Sequence, residues 1–430
     1  AAVLGRLRSL PLTFLGASVL GLSYAYLIGY LPQNSFFGSA AVQGLRGSVP
    51  ALLLFGALLL MRQESLVGWR VQSWRPSVPV SSRRTSLTTA LLFVVMISLV
   101  ARSLSSGALV GLNTGLAEAI IVLSLVPLTG WAGQLSFCQM TFAGLGAFAM
   151  AHIGANLGLV AAVGLAGAVG VVVALPTLRL RGLYLALSTF AFALAMDNTF
   201  FSTSASFGPS GSTRVGRVEL PWLHFGGDRA YAVLLATVFA SLAVVLLILR
   251  RGALGRLLLA VKDSEAACTT LGLSLVRVKL AAFALSAAIA GLGGALYGGV
   301  TTQAGGLQFS AIQSLPIVLL GVVGGIATTS GAFVGGFSLG LIGSKIQALL
   351  PGVPNLSFDV TGVVGALAGY LPDGIVPFVA RQGRRLGRVR DSAIGLMSES
   401  WARQRQQLEA SAPSQSEVGT SRGHSETIAN

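Results

Sequence analysis

Residues 250–282 are polar and basic, and they lie between two strongly apolar runs. Within them, residues 254–261 have the pattern of a short helix, and Glu265-Ala266-Ala267 follow it. Gly272 comes five residues after Ala267, at a position where a helix C-cap or a tight turn requires glycine. A helix-turn-helix that projects from a membrane can act as a lever for a partner protein. These side chains therefore predict a coupling surface rather than a catalytic centre.

A second group of polar residues follows the sequence Gly-Trp-Ala-Gly at 130–133, inside an otherwise apolar region. Irregular backbone within a membrane is tolerated only where it is buried or lines a cavity, and helix N-termini favour a carboxylate. We therefore predict that a solute path passes Gln134, Ser136, Gln139 and Thr141. Ser188 and Thr189 are weaker candidates, because their hydroxyls can bond to their own helix. The alternative is that these groups only make helix–helix hydrogen bonds.

Glu118 lies inside an apolar run, where a carboxylate is costly and is therefore a functional candidate. Asn113 and Thr114 precede it, so a position at the membrane interface is the alternative. The three histidines are scattered and lack metal-ligand spacing. The sequence contains no GxxxxGK[ST] motif, so we predict that the chain does not hydrolyse ATP alone and has no catalytic residue and no metal site.

The composition explains why membrane helices must position these polar residues. Hydrophobic residues make up 53% of the 430-residue chain and charged residues only 10%, with a mean hydropathy of +0.77. Soluble globular proteins have roughly 45–50% apolar and about 25% charged residues. A soluble enzyme, a fibrous protein and a disordered chain are therefore excluded.

Apolar runs close to the length of a membrane span, about 20 residues, recur along the chain. They lie at 11–31, 48–61, 87–104, 108–128, 137–155, 158–177, 183–201, 230–249, 279–300, 312–328, 331–350 and 357–371. They predict an all-α, polytopic transmembrane helical bundle, with about ten helices in the main part of the chain and about two in the part before it.

The formal net charge of +15 comes mainly from arginines in short loops, which favours a membrane protein over a nucleic-acid-binding one. The basic clusters lie at 62–84, 179–181, 250–279 and 381–390. With one span per apolar run, all four fall on the same face, which the positive-inside rule assigns to the cytoplasm. We therefore predict a multi-pass protein of the plasma membrane.

The loop at 197–229 falls on the opposite face and is rich in Gly, Ser and Pro. Its three arginines are balanced by Asp197, Glu219 and Asp228. We interpret this loop as a docking surface for an exterior partner. The alternative is an unstructured spacer, since long loops are either functional or disordered.

Composition also divides the chain into four parts. Residues 1–67 contain two helices whose pattern is repeated at 331–378, and residues 68–86 form a cytoplasmic linker. Residues 87–380 form the main transmembrane domain, which includes the coupling loop at 250–279. Residues 381–430 form a cytoplasmic tail that is first basic and then disordered.

Several motifs follow one another in a fixed order between about 85 and 380. They are LTGWAGQLSF at 128–137, LRLRGLYLALSTFAF at 178–192, Gly255-Arg256, Glu265-Ala266-Ala267, Leu271-Gly272, Lys279, AGLGGALYG at 290–298 and LLGVVGGIATTSGAFVGG at 319–336. Together they resemble the permease subunits of the high-affinity branched-chain amino acid ABC importers, with their version of the EAA loop. The chain departs from that family at Val126, where asparagine is usual, and at Cys138, where glycine is usual.

The resemblance implies a permease of the bacterial plasma membrane that moves leucine, isoleucine, valine or a related amino acid into the cytoplasm. It implies three kinds of protein partner, namely ABC ATPase subunits that bind the ATP, a periplasmic or lipid-anchored binding protein, and a sister permease half. Residues 1–67 would be the last helices of such a preceding half. The ATPase contacts would be Gly255, Arg256, Glu265, Ala266, Ala267 and Gly272. The chain itself would be no enzyme and would need no cofactor.

Two readings from other classes remain. An ion-coupled secondary transporter or channel would need an intramembrane carboxylate, for which Glu118 is the candidate. A membrane scaffold without transport would leave the polar residues at the helix break unexplained. Capture of an ATPase would distinguish the ABC importer from both of these alternatives.

Overall fold

The computed structural model describes residues 10–30, 40–60, 83–180, 182–220, 223–224, 226–349, 374–376 and 378. The apolar run at 357–371, the tail at 381–430 and most of the linker lie outside these described residues. The first part of the chain forms α1 (Leu10–Tyr30) and α2 (Ala40–Leu60). The next helix, α3 (Arg83–Ser103), begins inside the segment assigned to the linker.

Helices make up nearly all of the described chain, and they confirm the predicted all-α polytopic fold. After α3 come α4 (Ser106–Leu123), a π-helix (Val126–Trp131), α5 (Gln139–Ile153), α6 (Ala155–Thr177), α7 (Leu183–Met196), a second π-helix (Asp197–Phe201) and α8 (Ser204–Phe207). Then follow the strands β1 (Ser212–Arg214), β2 (Glu219–Leu220) and β3 (Leu223–His224), and the helices α9 (Asp228–Arg251), α10 (Ala253–Asp263), α11 (Glu265–Thr270) and α12 (Leu275–Thr301). The described chain continues through β4 (Gln303–Gly305), 3₁₀ turns at Gly306–Phe309 and Ala311–Gln313, α13 (Ser314–Gly324) and α14 (Thr329–Leu349).

Six helical stretches in the described residues are long and apolar enough to cross a membrane. They are Arg84–Ser103, Ser106–Trp131, Asn156–Thr177, Leu183–Phe201, Asp228–Arg251 and Leu275–Thr301. In lipid a helix satisfies its backbone groups within its own segment, so long apolar sequences form helices here.

Two of the apolar runs form helices that are too short to cross a membrane, although each run was predicted to form one span. α5 has 15 residues and α13 has 11, which at about 1.5 Å per residue give about 22 Å and 16 Å, less than the roughly 30 Å of a bilayer core. Irregular segments precede both helices. Their N-termini meet, since the amide of Met140 donates to the Ser314 hydroxyl at 3.1 Å.

Glycines bring the central helices α4, α5, α12 and α14 into close contact. An added Cβ at Gly294 would collide with the backbone of Ala143 in α5, and one at Gly336 with the backbone of Ala119 in α4. The small-residue spacings 294/298 and 336/340 therefore serve packing, as their GxxxG pattern indicates.

The connections fall into two sets at opposite ends of α9, whose 24 residues span about 36 Å. At one end, β1 pairs antiparallel with β4. At the other end lie α10 and α11, which contain the predicted coupling residues.

The loop at 197–229 is ordered where the structure describes it, so the alternative of an unstructured spacer is wrong there. Arg217 donates to the carbonyls of Gly299 (3.1 Å) and Gly226 (2.7 Å), and it forms an ion pair with Asp228. Its guanidinium also lies 5.2 Å from the ring centre of Tyr231. These contacts hold the loop against α9 and α12.

Labelling of cysteines tests which end faces the cytoplasm. We expect Ser210→Cys to react with an impermeant thiol reagent added to intact cells and Thr270→Cys to react only after permeabilisation, because the basic loops stay inside. Ser210 and Thr270 are both exposed, and the native Cys138 and Cys268 are buried and free, so background labelling should be low. Equal labelling of both positions in intact cells would overturn this topology.

Candidate functional site

The break in the helix that begins with α4 lies at residues 124–138. Pro127 has no amide hydrogen, so the regular α-helical pattern cannot continue through it. The chain widens into the π-helix, where the amide of Ala132 donates to the Pro127 carbonyl at 3.2 Å. π-Helical segments are frequent at functional sites. An irregular, buried segment therefore lies within the bundle where the sequence predicted one.

Two glycines of the Gly-Trp-Ala-Gly sequence are needed for this shape. A Cβ at Gly130 would lie 2.5 Å from the carbonyl oxygen of Ile326, in the connection between α13 and α14. Gly133 has a φ of +68°, in the left-handed region that favours glycine. The break is thus packed closely against the second half of the bundle.

Gln139 closes a ring of hydrogen bonds among α4, α5 and α12. The Ser124 hydroxyl donates to Gln139 Oε1 at 2.9 Å, and Gln139 Nε2 donates to the Ser286 hydroxyl at 3.2 Å. Ser286 in turn donates to the Ser124 carbonyl at 2.7 Å. All three residues are buried. This geometry favours the helix–helix alternative for Gln139.

The other predicted path residues are also buried, but they differ in how their polar groups are satisfied. Ser188 and Thr189 donate to carbonyls of their own helix, as expected, and Thr189 also accepts from the amide of Phe137 at 3.0 Å. Ser136 lies 3.1 Å from the sulfur of Cys138. Within the described chain, Gln134 Oε1 and Thr141 Oγ1 are buried without a hydrogen-bond partner. Those two atoms have unused hydrogen-bonding capacity.

The coupling loop forms the two short helices that the sequence indicated. Ser264 separates α10 from α11 and caps α11 by accepting from the amide of Ala267 at 3.2 Å. Gly272 ends the turn with a φ of +76° and open space where a side chain would be. The predicted requirement for glycine is therefore a requirement of the backbone, not of packing.

An ion pair fixes α11 to the start of α12. Lys279 Nζ lies 2.8 Å from Glu265 Oε1, and the Lys279 side chain is 6% exposed. Ala266 and Ala267 of α11 and Leu271 at its end remain exposed. The result is a small, rigid surface with apolar groups that no described residue covers.

Gly255 and Arg256 shape the beginning of α10. A Cβ at Gly255 would collide with the backbone of Arg250, so the chain can turn sharply from α9 into α10 only with glycine there. Arg256 donates to the carbonyl of Arg251 at 2.9 Å. Both residues hold the angle between the spanning helix and the coupling loop.

A direct bond joins the coupling loop to the helix break. Lys262 Nζ, at the end of α10, donates to the carbonyl of Gly130 in the π-helix at 2.8 Å. Although much of the Lys262 side chain is exposed, desolvation at its amino group lowers the pKa of the group, while the Asp263 carboxylate opposes the shift. The two groups of residues predicted separately are therefore connected in space.

A cavity of about 290 Å³ is lined by none of the predicted path residues, although Met140, between Gln139 and Thr141, contributes to its wall. Its polar lining consists of Glu118, Tyr297, Gln308 and Gln313. Of these, the sequence had marked only Glu118, as a carboxylate in an apolar run. The sequence did not mark Lys262, Ser124 or Ser286 either, because nothing distinguishes them from other loop or helix residues before the chain is folded.

Comparison with known proteins identifies the family. A model of the branched-chain amino acid transport system / permease component family matches residues 107–367, which is more than half of the chain. The chain belongs to this family. The predicted resemblance is thereby confirmed for the main transmembrane part.

Two curated relatives are similar to this permease-family chain. They are the high-affinity branched-chain amino acid transport system permease proteins LivM of Salmonella typhimurium and of Escherichia coli. Each is 32% identical over 244 residues, which is 49% of this chain and 56% of the relative. The chain thus spans about half the length of the curated relatives it matches. No solved structure gives a significant match.

Family membership and the six spanning helices together confirm a multi-pass protein of the bacterial plasma membrane. The relatives are permease components of transporters, not enzymes. The roles of the individual path and coupling residues stay predictions.

The stability of matched variants distinguishes the two glutamines at the break. Gln139→Ala should lower the free energy of unfolding by about 1–3 kcal/mol, because it leaves Ser124 and Ser286 without their buried partner. Gln134→Ala should leave stability near wild type, because the Oε1 atom of Gln134 has no partner to lose in the described chain. Thermal unfolding in lipid nanodiscs measures both. Equal destabilisation would refute the distinction.

Proposed function

We propose that the chain is the membrane-spanning subunit of an ABC importer that passes a branched-chain or related amino acid into the cytoplasm. Family membership supports a permease of this transporter type. The ATP would be bound and hydrolysed by separate ATPase subunits. An exterior binding protein would deliver the solute at the end of α9 where β1 and β4 pair, and a sister permease half would complete the pathway.

The exposed surface of α11 would be the site at which the ATPase docks. Ala266, Ala267 and Leu271 present small and apolar groups outside the membrane, and Leu271 is 78% exposed. The Glu265–Lys279 ion pair holds this surface rigidly to α12, which runs across the membrane. A push on α11 would therefore reach a spanning helix without being absorbed by a flexible loop.

The observation that carries the proposal is the bond from Lys262 to the Gly130 carbonyl. It connects the coupling loop to a described segment where a membrane helix is broken beside buried polar groups. Closure of an ATPase dimer would move α10 and α11, and this bond would pass the displacement to the break. The buried Oε1 of Gln134 and Oγ1 of Thr141 would then be exposed to the solute in one of two states.

An ion-coupled secondary transporter is the competing function. It would give Glu118 a role, but it would leave the rigid, exposed surface of α11 without one. The ABC proposal accounts for that surface.

Substitution of Gly272 tests the docking surface. Gly272→Val should strain the backbone by about 1–3 kcal/mol, because valine disfavours a positive φ, whereas Gly272→Asn tolerates the left-handed region. We expect capture of the ATPase by the valine variant to weaken by about tenfold, together with amino acid uptake, and the asparagine variant to stay near wild type.

Both variants must insert at wild-type levels, which surface labelling measures. Proteolysis of the cytoplasmic loop reports whether α11 is still folded. Normal ATPase capture by a valine variant whose α11 has unfolded would contradict the proposed docking site.

A further inference from the structure

The cavity beside Glu118 lies in the outer half of the bundle. Asn113 of α4 donates from Nδ2 to the carbonyl of Asp228 at 3.0 Å, so Asn113 is level with the outer end of α9. Glu118 comes five residues later, about 7.5 Å deeper along α4. Leu307, at the mouth of the cavity, is 90% exposed. A solute arriving from the side of β1 and β4 would therefore meet this cavity before it meets the break.

Within the described chain, two acceptor atoms in the polar lining of the cavity lack a hydrogen-bond donor. Glu118 Oε2 and Gln308 Oε1 are both buried and have no hydrogen-bond partner among the described residues. No Lys, Arg or His occurs among the described residues that line the cavity. A buried carboxylate without a counter-charge is strongly unfavourable. These two unpartnered acceptors, one of which belongs to a carboxylate, therefore favour a ligand that has a positive charge and several hydrogen-bond donors.

An ammonium group has three donors and a single charge, which fits these acceptors. The aromatic ring of Tyr297, which also lines the cavity, would add attraction for a cation positioned over it. The position of Gln313 is fixed from outside the cavity, because Asp197 accepts from the amide of Ala311 at 2.6 Å and so holds the turn that leads to α13.

The remaining lining suits an aliphatic side chain. Met140, Pro316 and Ile317 face the same space and carry no charge. The volume of about 290 Å³ lies just below the range of roughly 300–1,000 Å³ for small-molecule sites. It suits a single amino acid rather than a peptide.

We propose that this cavity is an outer recognition site for the ammonium group of an aliphatic amino acid, with Glu118 as its counter-ion and Gln308 as a neutral acceptor. The proposal rests on the proposed function and narrows its substrate class. Solutes that have no ammonium group, such as urea or a hydroxy acid, would lack the charge that Glu118 needs.

The test compares leucine with its 2-hydroxy analogue, 2-hydroxy-4-methylpentanoate, which keeps the carboxylate and the side chain and replaces the ammonium group with a hydroxyl. Equilibrium binding is measured on the full chain with its sister permease half and its ATPase in lipid nanodiscs. The exterior binding protein is left out, so that its selectivity does not contribute. The wild type should prefer leucine. Glu118→Gln should weaken leucine binding by about tenfold or more and alter binding of the hydroxy analogue by less than about twofold.

Glu118→Asp is the matched variant, because it keeps the charge and should retain part of the preference. If Glu118→Gln does not fold, Gln308→Leu carries the test, with the same selective loss expected. A wild type that binds neither ligand, an equal loss of both ligands, or an unchanged preference would overturn the proposal. So would leucine binding that requires sodium ions and stays insensitive to the ammonium group.

ATPase capture on the same nanodiscs separates this inference from the proposed function. Loss of capture by the wild type would contradict the importer itself. Retained capture without a preference for the ammonium group would contradict only the recognition site.

Discussion

A helix that breaks inside a membrane leaves amide and carbonyl groups without partners, and the bundle must supply them. Here contacts from three directions hold the break after α4, and two of them bond to its carbonyl groups. The ring through Ser124, Gln139 and Ser286 ties it to α5 and α12, and the close approach of Ile326 to Gly130 seals its other side. The third contact is the Lys262 ammonium on the Gly130 carbonyl, which comes from outside the membrane helices. The coupling loop is thus part of what makes the break stable.

This arrangement explains why the loop is rigid. A lever can displace a buried segment only if it does not bend first, and α10 and α11 are fixed at the capping serine, at the turn of Gly272 and at the Glu265–Lys279 pair. The ammonium of Lys262 is a point charge that can stay bonded to the Gly130 carbonyl as the angle between them changes, so a small movement of α10 would move the carbonyl with it. Two conformations that differ by a small shift at the break are compatible with such a contact.

The spanning helices and the coupling loop could be predicted from the sequence, because both depend on local patterns. A long apolar run must form a helix in lipid, and a glycine after an α-helical turn indicates a left-handed residue, as Gly272 is. The short lengths of α5 and α13 could not be predicted, because their apolar runs extend beyond the helices. Tertiary contacts, such as the bond from the Met140 amide to the Ser314 hydroxyl, determine where these helices begin. The polar lining around Glu118 comes from α4, α12 and the 306–313 connection. Residues so far apart in the sequence form no local pattern from which the cavity could be predicted.

Hydrogen exchange in the assembled transporter, with and without a non-hydrolysable ATP analogue, tests most directly whether the coupling loop moves the helix break. Peptides covering 253–272 and 126–138 should both change their exchange on nucleotide binding in the wild type. In Lys262→Met, which keeps most of the unbranched side chain but neither its charge nor its donors, the response at 253–272 should remain and the response at 126–138 should be lost. A response at 126–138 that persists unchanged in Lys262→Met, or that is absent in the wild type, would contradict the account.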